Sequence, residues 1–271
     1  MHRRKAQPSG LLSQEGQEEP AKKKIAATDA IFERLSQVNP QADADESKLR
    51  LSIDAKATVK VGDYSRAGSN RIQVEACDHD FHPNALLTPV GLLLPRFDEL
   101  ALYAVTSKVT SDCLADILCH WWETNKVRFP QVRTLVLNLD NGPENHSRRT
   151  QMLYRLVEFV QQTGIALELA YYPPYHSKYN PVERCWGVLE MHWNGNLLDT
   201  VAAVVGFACS MTWKGKHPSV ELITKTYHLG VRLSHKAMAA LETQVRRLPG
   251  LGKWFVEIRP DTVNPGTVIW T

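Results

Sequence analysis

The sequence has few cysteines, and no two of them are spaced as a CxxC pair. Five are scattered over the 271 residues, at Cys77, Cys113, Cys119, Cys185 and Cys209. An odd and dispersed set argues against a disulfide framework and against a zinc ribbon. It is typical of reduced, buried thiols in a cytosolic protein, which is the location we expect.

Long apolar runs and nucleotide-binding loops are also missing. The apolar stretch LLTPVGLLLP is interrupted by prolines and is shorter than the roughly 18 residues that indicate a membrane span. The first residues are basic but have no apolar run behind them, unlike a secretory signal. No GxGxxG follows a strand pattern, and no GxxxxGK[ST] occurs. We therefore expect no membrane partner and no common nucleotide-binding fold.

The chain carries little net charge, +3 at pH 7, so composition alone does not indicate a nucleic-acid-binding protein. Its basic residues are unevenly distributed. Residues 214–253 contain eight of them against two acids, Glu221 and Glu242. The eight are Lys214, Lys216, Lys225, Arg232, Lys236, Arg246, Arg247 and Lys253. This basic part is compatible with contact to DNA phosphates and equally with the solvated face of helices.

The first clear pattern is a strict alternation from residue 49 to residue 61. Apolar side chains occupy every second position, and Arg50, Ser52, Asp54 and Lys56 begin the other face. A period of two predicts one long, half-buried strand with Asp54 on its polar face. Two more strands, RIQVEA and ALYAVTS, are predicted as antiparallel neighbours, with a proline-punctuated connector between them.

Further along, the period changes to that of α/β units. A helix that opens at Ser111 precedes the apolar strand Thr134–Leu139, a helix that ends at Gly164, the strand ALELAYY and a helix that opens at Asn180. Three antiparallel strands followed by alternating helices and strands are typical of a ribonuclease-H-like mixed α/β sheet flanked by helices. A doubly wound nucleotide-binding fold is the alternative.

These patterns divide the chain into three parts. Residues 1–45 are predicted to be a polar N-terminal segment with one short helix, TDAIFERLSQVN. Residues 46–200 are predicted to form the ribonuclease-H-like domain, and residues 201–271 a basic, helical C-terminal extension.

Three carboxylates stand at points where such a sheet would bring them together. Asp54 lies on the first strand, Asp140 directly follows the strand Thr134–Leu139, and Glu183 opens the helix after the next strand. Each has a simpler interpretation. Asp54 could be an exposed polar residue, Asp140 could belong to an Asx turn, and Glu183 could form a capping box with Asn180.

Taken together, the three acids favour a metal site. Carboxylates that converge in one cleft repel each other unless cations lie between them. Mg²⁺ prefers hard oxygen ligands. Two such ions roughly 3.5–4 Å apart can hold the attacking and leaving oxygens of a displacement at phosphorus. We therefore predict Asp54, Asp140 and Glu183 as catalytic residues and as ligands of two Mg²⁺ or Mn²⁺ ions.

The same residues carry a resemblance to a known family. The string PPYHSKYNPVERCW resembles the PPYxPxxNPxE-W signature around the last acid of mariner-like DDE transposases. LVLNLDNGPEN resembles their second-acid segment, and LSIDAKATVKVGDYSRAG resembles the first-acid strand of the insertion-sequence group called ISAzo-thirteen. The C-terminal strings WKGKHPSVELITKTY and ALETQVRRLPGLGKWFV are similar to that group as well. The resemblance covers roughly residues 27–260.

The resemblance implies a bacterial, cytoplasmic, nucleoid-associated DDE transposase. Its activity would be metal-dependent cleavage at transposon ends, followed by attack of the freed 3′-hydroxyl on target DNA. Asp54, Asp140 and Glu183 match the three acids of the family. DNA is the implied partner, and a homo-oligomer is expected when the ends are synapsed.

One departure concerns DNA recognition. Such transposases usually carry a helix-turn-helix region ahead of the catalytic domain, where this chain has only a short polar segment. We expect an N-terminally truncated copy whose remaining DNA contact is salt-sensitive and mostly independent of sequence. Two alternatives stay open: an inactive DNA-binding remnant, and a nuclease on the same fold, such as a ribonuclease H.

Several other side chains have weaker signals. Cys77, His79, Asp80 and His82 are close enough in sequence to suggest zinc, but they lack a second half-site. His176 could contact phosphate or a metal-bound water, although a loop histidine is more often simply exposed. Lys178 and Arg184 are candidate phosphate contacts. Trp121 and Trp122 lie on an apolar helix stripe and are predicted to be core residues.

Overall fold

The computed structural model describes residues 25–63, 83–140, 150–230 and 233–263. Within these residues the helices are α1 Thr28–Ala44, α2 Ser111–Asn125, α3 Thr150–Thr163, α4 Glu183–Trp193, α5 Val201–Ser210 and α6 His235–Glu242. The strands are β1 Lys48–Ala55, β2 Val59–Val61, β3 Ala85–Leu94, β4 Glu99–Val105, β5 Thr134–Leu139, β6 Ala166–Tyr171, β7 Ser219–Ile223, β8 Val245–Arg247 and β9 Phe255–Ile258. None of these helices is long and apolar enough to cross a membrane.

All the described strands belong to one mixed sheet. Its order is β7-β4-β3-β1-β5-β6-β9-β8, with β2 paired to β3 outside this path. The pairs β1–β3 and β3–β4 are antiparallel, whereas β1–β5 and β5–β6 are parallel. Farther out, β7 runs parallel to β4, and β9 runs antiparallel to β6 and β8. Three antiparallel strands, β4, β3 and β1, joined through β1 to the parallel strands β5 and β6 are the ribonuclease-H-like arrangement, so the predicted fold class is confirmed.

Helices cover both faces of this sheet. Buried side chains of α2 and α3 pack in one core cluster, and those of α4 and α5 pack in a second cluster. Trp121 and Trp122 of α2 are 3% and 4% exposed, which confirms that they are core residues. With both faces covered, β5 is fully buried along most of its length, as its continuous apolar sequence predicts.

The first strand differs from the prediction in two ways. It ends at Ala55, and the chain resumes pairing only at Val59, so the long strand is two short ones. Its polar face is also buried, since Ser52 is 0% and Asp54 is 7% exposed. The polar residues on this face are not solvated, because α4 and the segment before it lie over them.

The proline-punctuated connector is in fact the strand β3, which was not predicted. Pro89 lies opposite the break between β1 and β2, and its carbonyl accepts a hydrogen bond from the Lys56 amide at 2.8 Å. In an antiparallel ladder the N–H and C=O of one residue face the same neighbour. The Pro89 nitrogen, which carries no hydrogen, therefore faces the interruption between β1 and β2, where the ladder is already broken. The predicted strand RIQVEA lies outside the described residues.

The two ends of the chain also differ from expectation. Helix α1 continues through Pro40 to Ala44, because Ile31, Leu35 and Ala42 keep one face buried. The segment 201–271 is not purely helical: β7 forms one edge of the sheet, and β8 and β9 form the other. Residues 1–24 lie outside the described residues.

Candidate active site

The candidate site lies at the edge of the sheet that the C-terminal ends of β1, β5 and β6 form, and not at the outer strands β7 and β8. Ile53 is in register with Leu139, and Leu139 is in register with Tyr171. Because β1, β5 and β6 are parallel, Asp54, Asp140 and the loop after Tyr171 emerge at the same edge. The strand register thus brings together elements that are far apart in the sequence.

Asp54 has an unusual environment for a carboxyl group. It is 7% exposed, and its Oδ2 accepts a hydrogen bond from Trp186 Nε1 at 2.7 Å. The pKa of Asp54 is raised to about 7, mainly by burial and also by the negative charges of Glu183 and Asp140, while the hydrogen bond from Trp186 acts in the opposite direction. The three predicted acids therefore lie near enough for the charges of two of them to act on the third.

Glu183 is brought to this edge by a buried asparagine. Asn180 is 0% exposed; its Oδ1 accepts a hydrogen bond from Ser52 Oγ at 2.5 Å, and its Nδ2 donates to the Ile53 carbonyl at 3.1 Å. The Val182 amide donates to the same Ser52 hydroxyl at 2.9 Å. These bonds hold the start of α4 against β1, two residues before Asp54.

The capping-box interpretation of Glu183 is not supported. Helix α4 has no side-chain hydrogen bond at its N-cap, and the Asn180 side chain is directed to β1 instead. The alternative for Asp140 concerns a turn at residues 141–143, which lies outside the described residues.

The loop between β6 and α4 combines a buried histidine with exposed aromatic rings. His176 is 5% exposed, donates from Nδ1 to the Pro174 carbonyl at 2.8 Å and packs against Phe32. The expectation of an exposed loop histidine is therefore wrong, and its contacts are those of a structural residue. Tyr175 is 67% exposed at a positive φ of 65°, a conformation that non-glycine residues rarely adopt. Tyr179 is 47% exposed.

The donor chemistry of the three acids fits a hard divalent cation. All three offer carboxylate oxygens, and Asp54 is protonated more readily than an ordinary acid because it is buried and because Glu183 and Asp140 are negatively charged. Among the residues that the structure describes, however, no group of three or more His, Cys, Asp or Glu side chains is arranged to hold a metal ion. The charges of Glu183 and Asp140 act on Asp54, but the three side chains are not arranged around a common metal position.

Sequence reasoning missed several residues that shape this edge. Ser52, Gly91 and Trp186 were given no role, although Trp186 stands in the quoted signature. A tryptophan three positions after a predicted acid is one helical turn away, which is the signal that could have drawn attention to it. The candidate zinc cluster Cys77, His79, Asp80 and His82 lies outside the described residues.

The basic C-terminal residues that the structure describes do not form a single patch. Those near β7 lie at one edge of the sheet and those near β8 at the other, and five of them have acidic partners in the described structure. These pairs are Lys214–Asp98, Lys216–Glu99, Lys225–Asp116, Arg246–Asp261 and Arg247–Glu242. Clustering in the sequence therefore does not carry over to the fold.

Comparison with protein families gives one match over most of the sequence. The family model described as the Rhodopirellula transposase DDE domain matches residues 4–260. Comparison with curated proteins gives no match.

Solved structures similar to this chain include transposase–DNA complexes. One is the Mos1 transposase paired-end complex with left transposon end, with a TM-score of 0.49, 11% identity, and coverage of 72% of this chain and 57% of that chain. Another is the Mos1 mariner paired end complex with Mn, with a TM-score of 0.48, 8% identity, and coverage of 72% and 57%. This chain thus spans little more than half the length of the Mos1 chains it matches.

Proposed function

We propose, from the premise that this chain belongs to the Rhodopirellula transposase DDE-domain family, that it catalyses metal-dependent cleavage of DNA at transposon ends and transfer of the freed 3′-hydroxyl to target DNA. The family is one of phosphoryl-transfer enzymes, and its members use divalent metals. The observation that carries the proposal is the convergence of three acids at one sheet edge, where two of them raise the pKa of Asp54.

In the proposed mechanism, Asp54, Asp140 and Glu183 hold two Mg²⁺ or Mn²⁺ ions. When bound, such ions polarise the scissile phosphate and stabilise the charge on the attacking and leaving oxygens. The chain's own contribution is placement. The rigid strand β1 fixes Asp54, the end of β5 fixes Asp140, and the Asn180 bonds to β1 fix the first turn of α4 that carries Glu183.

The loop after β6 is the proposed contact for DNA. Tyr175 and Tyr179 expose aromatic rings on the loop that leads to Glu183, and Lys178 lies over the Tyr179 ring at 5.5 Å. Aromatic rings stack with bases, and basic side chains bind phosphates, without requiring a particular sequence. Arg184, which is exposed on the first turn of α4, supplies a second cation near Glu183. A homo-oligomer that synapses two DNA ends is part of the proposal.

The test compares Glu183→Gln with Glu190→Gln on the same helix. Both changes remove one charge, but the Glu190 carboxylate pairs with Lys56 and accepts a hydrogen bond from Trp193 at 2.6 Å. We expect Glu183→Gln to reduce Mg²⁺- or Mn²⁺-dependent nicking of plasmid DNA by at least about 100-fold with little change in melting temperature. Glu190→Gln should lower the melting temperature and leave nicking within about threefold.

A second candidate is an inactive DNA-binding remnant, which is favoured by the lack of a closed ligand set among the described residues. A remnant would retard DNA in a gel but never cut it at any metal concentration. If the wild-type chain binds DNA without nicking it, the remnant becomes the better account. If Glu183→Gln nicks as well as the parent, Glu183 is not a metal ligand and the proposed site is wrong.

A nuclease on the same fold remains the third possibility from the sequence. Oligonucleotide assays separate it from a transposase, because strand transfer joins a cut end to a second duplex, whereas a ribonuclease H cuts the RNA of an RNA–DNA hybrid and joins nothing. We expect joined products with DNA ends and no cleavage of the hybrid.

A further inference from the structure

We propose that Trp186 is a positioning residue for Asp54, and that Gly91 is a glycine because the indole ring occupies the space of its side chain. The inference rests on the proposed function, since it assigns a role within the same three-acid site. Three observations carry it: a buried hydrogen bond, a steric gap, and the position of Trp186 relative to Glu183.

The hydrogen bond joins two residues that are almost completely buried. Trp186 is 6% exposed and Asp54 is 7% exposed, and the distance from Nε1 to Oδ2 is 2.7 Å. The indole N–H is a donor only and has a fixed direction in the ring plane. It therefore fixes the rotation of the Asp54 carboxylate more strictly than a flexible side chain would.

The gap is created by Gly91, which is paired with Asp54 across β1 and β3. A Cβ atom at Gly91 would lie 2.7 Å from Cη2 of Trp186 and 2.9 Å from Cγ2 of Val182. Both distances are too short for carbon atoms in contact. The reason for glycine here is thus the close approach of the ring rather than a special backbone conformation.

The third observation links the two acids. Trp186 follows Glu183 by three residues in α4, so both side chains leave the same turn of the helix. A ring that is held between Gly91 and Asp54 also fixes the rotation and height of this turn. Trp186 therefore sets the position of Glu183 relative to Asp54, while Asn180 anchors the chain just before the helix.

The choice of a neutral donor has a chemical consequence. A lysine or arginine in this place could also donate to Asp54 but would cancel the negative charge that attracts a divalent cation. The indole orients the carboxylate and leaves that charge in place. Groups that orient metal ligands in this way typically change metal affinity about 10- to 100-fold when they are removed.

The test measures Mn²⁺ affinity by the loss of the free-ion EPR signal, which does not depend on catalysis. Trp186→Phe removes the N–H and keeps an aromatic ring, while Gly91→Ala keeps donor and acceptor and displaces the ring. Trp193→Phe is the matched control, because its indole donates to Glu190 at 2.6 Å on the same helix. We expect the first two variants to weaken Mn²⁺ binding about 10- to 100-fold and the control to bind like the parent.

The outcomes separate this inference from the proposed function. If the parent chain binds no Mn²⁺, the proposed metal site fails and this inference fails with it. If the parent binds Mn²⁺ and both Trp186→Phe and Gly91→Ala bind it equally well, Trp186 has no positioning role and the metal site stands. A melting temperature recorded for every variant confirms that each is folded, and Gly91→Ala keeps the test decisive if Trp186→Phe does not fold.

Discussion

Two clusters of acidic side chains in this molecule have opposite surroundings. The first lies between α2 and α3, where Arg155 contacts Asp112 at 2.9 Å, Asp116 at 2.7 Å and Glu158 at 2.8 Å. Lys225 adds a second cation, 2.6 Å from Asp116. The second cluster is Asp54, Asp140 and Glu183, where the charges that act most strongly on Asp54 are negative.

The pKa values follow this difference. Burial pushes the pKa of Asp116 upward, but hydrogen bonds from Lys225, Arg155 and Tyr227 outweigh it and leave the pKa below its ordinary value. Burial raises the pKa of Asp54 to about 7, and its acidic neighbours act in the same direction. The same residue type is thus stabilised as an anion in one place and destabilised as an anion in the other.

In the first cluster the chain itself supplies the cations, Arg155 and Lys225, that neutralise the acids. Between α2 and α3 the acids are balanced by arginine and lysine, so they connect elements and contribute to stability. At the sheet edge Asp54 is buried beside the negative charges of Glu183 and Asp140, so its ionised form costs stability in the folded chain and suits a cation that comes from outside. The following predictions test this contrast, beginning with the largest effect.

Removing the central cation of the balanced cluster should have the largest effect on stability. Arg155→Met leaves three partly buried acids without their shared partner, so we expect the free energy of unfolding to fall by about 3 kcal/mol. Urea denaturation at pH 7 measures it. Arg133→Met is the control, because within the described residues the Arg133 side chain donates to the carbonyls of Pro130 and Val132 and not to an acid. A loss no larger than that of the control would mean that the cluster does not stabilise the fold.

Removing Asp54 from the second cluster should do the opposite. The pKa of Asp54 is about 7 in the folded chain against an ordinary value of 3.8. The folded state therefore binds the proton more tightly, and the free energy of unfolding falls as the pH rises from about 4 to about 7. Asp54→Asn removes this loss. Without metal, we expect the variant to be more stable than the parent by on the order of 2 kcal/mol at pH 8.

The control for Asp54→Asn is the same comparison at pH 4. There the parent carboxyl is protonated in the folded chain, so the two proteins should unfold at nearly the same urea concentration. A variant that is less stable than the parent at pH 8 would contradict the raised pKa of Asp54.

Adding a divalent cation should stabilise only the chain with an intact acid cluster. At a Mg²⁺ or Mn²⁺ concentration about ten times the dissociation constant, we expect a gain of about 1.4 kcal/mol. Thermal unfolding at pH 8 with and without the ion measures it. Asp54→Asn should lose the gain, and Arg155→Met should keep it. An equal gain in all three proteins would indicate binding elsewhere.

The smallest effect is expected at the outer cation of the balanced cluster. Lys225 is 65% exposed at its side chain, so its pair with Asp116 is screened by solvent. Lys225→Met should reduce stability by about 0.5 kcal/mol. The loss should shrink further in about 1 M salt, where exposed pairs are screened. A loss as large as that of Arg155→Met would show that exposure does not weaken this pair.

The sequence predicted the central part of the fold because its signals are local. A continuous apolar run gave β5 and placed Asp140 at its end, and strict alternation gave the strand that carries Asp54. The same alternation suggested a half-exposed strand, since it cannot show that a later helix covers the polar face. Strand β3 was not predicted because it contains Pro89 and Gly91, which disfavour a strand in a local pattern. Their positions are explained only by the neighbouring strands and by the Trp186 ring, which are distant in the sequence.

The contacts that build the candidate site were out of reach for a different reason. The bond from Trp186 to Asp54 joins residues 132 positions apart, and the bond from Ser52 to Asn180 joins residues 128 apart. Neither follows from a helical or strand period. The described basic residues of the C-terminal part show the reverse, because Lys214 and Arg246 are close in sequence but lie near opposite outer strands of the sheet, β7 and β8.

The position of the last strands has a consequence for copies of the gene that are damaged. A stop codon near position 200 would preserve the codons of all three acids, yet the product would lack β7, β8 and β9. Strands β4 and β6 would then become bare edges with unpaired backbone groups, which invite aggregation. We therefore expect a nonsense mutation downstream of the acids to give an aggregated product, even though all three acids are still encoded.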